Sequence, residues 1–89
     1  MSPTDRELLR ENILLQCHSA SRKGVRFNAI VSRVRYDGYD VKEEDVDGEV
    51  RYLEGKNLIK EVDKRFSPEN RRYVSTPEGT DYLRKEGLV

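Results

Sequence analysis

Four cations bracket a turn-forming cluster in the second half of the chain: Lys64-Arg65 lies before Ser67-Pro68-Glu69-Asn70, and Arg71-Arg72 lies after it. Folded as a hairpin, they crowd ammonium and guanidinium groups into one small area, and the chemistry such a cluster offers is charge-assisted hydrogen bonding to phosphate. Arg22, Lys23 and Arg26 form a second basic group, with Arg33 and Arg35 further along. Each group has an alternative reading. The hairpin cations also suit a solvated edge that discourages strand-to-strand association, and the others could pair with acids of the same chain or of a second copy.

Other reactive side chains point away from catalysis. Cys17 and His18 are adjacent, and neighbouring residues on a helix do not face each other, so they form no nucleophile and base pair. Cys17 falls on an apolar stripe and reads as a core side chain; His18 reads as surface. A single cysteine excludes an intrachain disulfide, and with a single histidine beside it a Cys/His zinc site is not expected. Carboxylates are abundant, yet none comes with a partner histidine, lysine or glycine-rich loop that would define an active site. No enzyme, cofactor, metal or small-molecule substrate is therefore expected. Tyr36, Tyr39 and Tyr52 could stack on bases of a single strand, although half-buried packing positions suit them as well.

The chain has 89 residues, 38% of them charged, with a net charge of zero. A single domain over residues 1–89 is expected. A chain of this size buries only somewhat more than ~60% of its unfolded surface, so little room remains for an effector pocket once the core is filled. No apolar run reaches the roughly 18 residues of a membrane span, nor is there a signal-peptide core, and the expected setting is cytoplasmic.

Zero net charge hides opposing blocks. Residues 21 to 36 hold five cations and no acid, for +5; residues 37 to 54 hold eight acids against two cations, for −6; residues 55 to 75 come to +3. Any attraction for polyanions must arise from this local asymmetry.

The elements that would position these groups follow from periodicity and capping. Thr4-Asp5-Arg6-Glu7 offers a capping box for a first helix to about Ser19, with Leu9, Ile13, Cys17 and Ala20 on its core side and Leu8 and Leu15 widening the stripe. Val25 to Phe27 suits a very short strand. Phe27, Ile30, Val31 and Val34 predict a second helix ending near Asp37-Gly38. Val46, Val50 and Leu53 predict a third, ended by Gly55-Lys56-Asn57, where asparagine takes the left-handed position usually given to glycine. Its first turn holds Glu43, Glu44 and Asp45, favoured there by the helix dipole. Its outer face carries Glu44, Asp47, Gly48 and Arg51, and Arg51 is the one long donor there able to reach guanine. Leu58 to Phe66 and Arg71 to Ser75 read as two strands. Thr76 then caps a last helix with Pro77 in its first turn, anchored by Tyr82 and Leu83.

Taken together, Val50-x-x-Leu53-Glu54-x-x-Asn57-Leu58-Ile59, the basic hairpin and Thr76-Pro77-Glu78-Gly79 resemble the winged-helix superfamily, and within it the small bacterial regulators of the MarR and PadR kind or their phage relatives. The resemblance implies a mainly helical α+β fold with a three-helix core, a two-stranded wing and a short C-terminal helix. It also implies a transcription regulator that places its third helix in the major groove of duplex DNA and its wing on the adjacent backbone. The DNA-contacting set expected on this basis is Arg22, Lys23, Arg26, Arg51, Lys64, Arg65, Arg71 and Arg72. The −6 block complicates this, because carboxylates on a reading helix subtract from affinity for phosphate; the wing is then the stronger contact. The competing expectation is a protein-interaction module in which the acidic third helix docks on a basic partner or on a second copy, giving a homodimer.

Overall fold

The computed structural model describes residues 2–62 and 71–89. In chain order these form α1 (Pro3–Ser19), β1 (Val25–Arg26), α2 (Phe27–Tyr36), α3 (Glu43–Gly55), β2 (Ile59–Val62), β3 (Arg72–Ser75) and α4 (Pro77–Lys85). The expected turn at Ser67 to Asn70 lies outside the described residues, as do Lys64 and Arg65.

The first helix begins earlier than predicted. Ser2 is its cap: the Ser2 hydroxyl accepts from the Asp5 amide at 3.1 Å, while the Asp5 carboxylate accepts from the Ser2 amide. Pro3 decides between the two overlapping boxes, because its fixed φ suits the first helical position and its missing N–H leaves nothing unsatisfied there. The core side of α1 is also displaced. Leu14 is buried beside Leu9, Ile13 and Cys17, whereas Leu8 remains 47% exposed. The shift follows from α4, which packs on the flank of α1 that carries Leu14.

Val46, Val50 and Leu53 bury one side of α3 in the core that it shares with Leu9 and Ile13 of α1 and Ile30 and Val34 of α2. Asn57 ends this helix at φ 61, as its sequence position predicts. The Leu58 amide then reaches back to the Leu53 carbonyl at 3.0 Å, and Asn57 to Glu54 at 2.9 Å, which satisfies carbonyls that the helix end would otherwise leave open.

The very short strand expected at Val25 to Phe27 forms as β1 and joins the two wing strands in one sheet. The sheet order is β1-β3-β2, all antiparallel. β3 is central, and Tyr73 within it is 1% exposed. β1 reaches the free edge of β3 because Gly24, at φ +80, brings the chain close: a Cβ there would stand 2.8 Å from Val62 Cγ2 and 3.0 Å from the Tyr73 carbonyl oxygen.

The junction of α3, the sheet and α4 is a compact knot. Thr76 Oγ1 accepts from the Gly79 amide at 3.1 Å and donates to the Asn57 carbonyl at 2.6 Å, while the Thr76 amide donates to Leu58 O at 3.0 Å. Leu83 anchors α4 in the core, but Tyr82 is 37% exposed, since residues one apart on a helix cannot both face the same neighbour.

This packing separates two glycines that look alike in sequence. A Cβ at Gly79 would lie 2.1 Å from the Leu58 carbonyl oxygen, whereas one at Gly48 would meet nothing within 4 Å. Gly79→Ala is expected to destabilise the chain by at least ~2 kcal/mol through this clash. Gly48→Ala should stabilise it by about 0.5–1 kcal/mol through helix propensity. Urea unfolding of the two variants checks both signs.

Candidate nucleic-acid interface

On α3 the carboxylates are spent unevenly. Glu49 pairs with Arg10 and, at 3.9 Å, with Arg6 of α1, and the Arg10 guanidinium lies over the Tyr52 ring at 3.7 Å. Asp45 turns back to accept from the Lys42 amide at 2.9 Å. On the opposite flank, Asp47 accepts from Arg51 Nε at 3.0 Å and from Arg71 Nη1 at 2.9 Å. Asp37 accepts from Asn12 and Arg33. Several acids of the −6 block thus hold neighbouring elements. The ridge farthest from the core is Glu44, Gly48, Arg51 and Gly55, all exposed.

Arg71 is bound into the structure. Its guanidinium lies 4.5 Å over the Phe27 ring as well as on Asp47, and its carbonyl accepts from the Phe27 amide at 2.9 Å. One residue therefore joins the approach to β3, the start of α2 and the flank of α3. Arg72, one position on, has the opposite placement. It stands directly across from Arg26 in the β1·β3 pair, with Val62 on its other side, on the sheet face opposite to buried Tyr73.

Like charges directly opposite one another on paired strands are destabilising. Among the described residues no carboxylate lies within ion-pair distance of Arg26 or Arg72 to relieve them. Arg26 is also the residue before α2, whose first turn has neither a side-chain cap nor an acid. Early backbone amides of a helix left without a cap favour an anion. Two uncompensated guanidinium groups and an uncapped helix start thus share one corner, with exposed Lys23 nearby in the chain.

Of the eight predicted contact residues, the structure brings Arg26 and Arg72 together at this corner and leaves Arg51 on the outer ridge of α3. It turns Arg71 inward and sets Arg22 on a separate cleft with Lys60; Lys64 and Arg65 lie outside the described residues. The pairing of Arg26 with Arg72 is a long-range fact without a sequence signal, whereas the missing cap of α2 was legible, since no Ser, Thr, Asp or Asn precedes Phe27. The α2 cations do not reach α3: Arg33 pairs with Asp37 at 3.2 Å, and Arg35 donates to the Val41 carbonyl at 3.1 Å. The tyrosines are differently placed, Tyr39 against the core, Tyr52 under Arg10 and Tyr36 exposed. Cys17 is a core residue as expected, its thiol pushed up to about 12 by burial. His18 is half-buried, with Nδ1 3.3 Å from Thr80 Oγ1.

The Asp47 carboxyl carries a pH signature. Partial burial by itself would raise its pKa, and hydrogen bonds from Arg71 and Arg51 outweigh that, so it titrates below its ordinary value. A carboxyl with a depressed folded pKa adds stability that is complete above the ordinary value of about 3.9 and is lost as pH falls through the folded one. Asp47→Asn should therefore cost about 1–2 kcal/mol at neutral pH, allowing for partial exposure. The gap to the unsubstituted chain should narrow below about pH 4. Urea melts of both chains at pH 7 and pH 3 measure it; a gap independent of pH would rule out this ion pair as its source.

No protein-family model and no curated protein matches the chain. Among solved structures it is similar to a PadR family transcription regulator from hypervirulent Clostridium difficile R20291, with 27% identity and a TM-score of 0.69 over 89% of this chain and 82% of that one. It is also similar to F-93 of SSV1, with 15% identity and a TM-score of 0.56 over 90% and 92% of the two chains. A helix pair ending in an exposed third helix, followed by an antiparallel sheet and a capped closing helix, is the winged helix-turn-helix fold, and this chain has it.

Proposed function

We propose that this chain is a DNA-binding module of the transcription-regulator type, which places the outer ridge of α3 in the major groove and rests the Arg26 and Arg72 corner on the phosphate backbone. The observation that carries this reading is that pair: two guanidinium groups in register on neighbouring strands, without a carboxylate partner among the described residues. A polyanion relieves their repulsion and releases counterions in doing so. The likeness to a PadR family transcription regulator supports the same reading.

The ridge of α3 is suited to close approach, because Gly48 and Gly55 have open space beside them and add no side chain between helix and groove. Arg51 reaches outward from between them. Its tether to Asp47 orders a side chain that would otherwise lose rotamer freedom on binding, and a bidentate contact to guanine is its best-matched base. Arg71 acts one step removed, by holding the strand that carries Arg72 to α2 and α3. Docking of a basic protein on α3 has less support, since Asp45, Asp47 and Glu49 are already engaged within the chain.

The pair makes function and stability pull in opposite directions. Arg26→Gln with Arg72→Gln removes like-charge repulsion, so the double variant should be at least as stable as the parent. Its affinity for generic duplex DNA should nevertheless fall, and the slope of log K against log salt should become shallower by about 1.8, or ~0.9 per lost phosphate contact. Fluorescence anisotropy with a labelled duplex at several salt concentrations reads this directly. Parent-like affinity and slope in the double variant would remove this corner from the interface.

A further inference from the structure

On the same outward face of the sheet as Arg72, the end of α1, the loop that follows it, β2 and β3 flank a cleft of about 410 Å3. Its volume lies within the ordinary range for small-ligand sites, about 300 to 1,000 Å3. The cleft lies between elements, on the surface, so filling the core does not close it. Arg22 and Lys60 supply two fixed cations, and Val62 and Val74 supply an apolar wall. Among the described residues no aspartate or glutamate lines it, and no carboxylate is within ion-pair distance of either cation.

His18 and Ser75 complete the polar side, and they are linked through a neighbour. Ser75 Oγ lies 3.5 Å from Thr80 Oγ1, which lies 3.3 Å from His18 Nδ1. Thr80 Oγ1 engages Nδ1, and Nε2 is the ring nitrogen without a hydrogen-bond partner among the described residues. The hydroxyls thereby orient the ring while Arg22 and Lys60 provide the charge.

We propose that this cleft binds a small phosphate monoester with a short apolar body. Two separated cations and an additional donor suit a group that carries about −1.5 to −2 charge at neutral pH and three acceptor oxygens. A monocarboxylate would leave one cation unmatched. Val62 and Val74 provide the surface on which the apolar body rests, and bare phosphate would leave that surface wet.

The test is an NMR titration of the labelled full chain at constant ionic strength, with sodium chloride, inorganic phosphate and phenyl phosphate as the three probes. Phenyl phosphate is expected to shift the amides of His18, Arg22, Lys60, Val62 and Ser75 saturably, and to bind more tightly than inorganic phosphate. Arg22→Ala with Lys60→Ala replaces two exposed side chains and should weaken binding about tenfold through the loss of charge-assisted contacts, while amides remote from the cleft keep their positions. Equal shifts with chloride, or undiminished binding by that variant, would overturn the proposal. So would cleft shifts produced by a short duplex and not by phenyl phosphate, an outcome that assigns Arg22 and Lys60 to the DNA backbone. The Arg26→Gln, Arg72→Gln variant should keep its phenyl phosphate site, which separates failure of the cleft from failure of the DNA corner.

Discussion

The guanidinium of Arg71 lies on the Asp47 carboxylate, over the Phe27 ring and beside a backbone bond to the Phe27 amide, and the relation between sheet and helices depends on it. Strand, second helix and third helix share an apolar core, and Arg71 joins all three at its rim. A planar cation with five donors can satisfy a carboxylate and cover an aromatic face at the same time, which the compact ammonium of lysine does less well. Because the pair is partly exposed, its contribution is modest in energy and large in geometry: it holds the strand carrying Arg72 beside the flank of α3.

The same interaction resolves the electrostatic conflict in the sequence. A third helix with many acids looks poorly suited to a polyanion, yet those acids face in different directions. Glu49 holds α1, Asp47 holds the start of β3, and Asp45 caps its own helix. Their fields are largely compensated within a few ångströms, and at physiological salt the remainder is screened over about 8 Å. Among the described residues Arg26 and Arg72, paired across β1 and β3, have no carboxylate partner of this kind. A chain with zero net charge can thus present a cationic face, because the two signs are sorted by tertiary structure rather than by segment.

Much of the architecture was legible from the residues alone. The left-handed Asn57, the Thr76 cap with Pro77 behind it and the apolar faces of α2 and α3 depend on neighbours within about four residues, which is the reach of a helical turn or a side-chain cap. So does the two-residue β1, although its partner strand does not. Errors arose where two local solutions competed, as at Ser2 and Thr4, or where a flank was chosen by another element, as with Leu8 and Leu14 on α1 and Tyr82 on α4.

The site divides along the same line. Its chemistry, local clusters of arginine and lysine within a chain of zero net charge, is present in the sequence. The separate fates of Arg71 and Arg72 are not, since the two adjacent residues are identical in type and share one chain context. In extended chain, consecutive side chains point to opposite faces, and only the pairing of β3 with β1 and the proximity of α3 determined that Arg71 meets a carboxylate while Arg72 stands in register with Arg26. Residue types and short-range spacing determined the elements and the sign of each local charge block; long-range pairing alone decided which cations are engaged within the chain and which, among the described residues, are not.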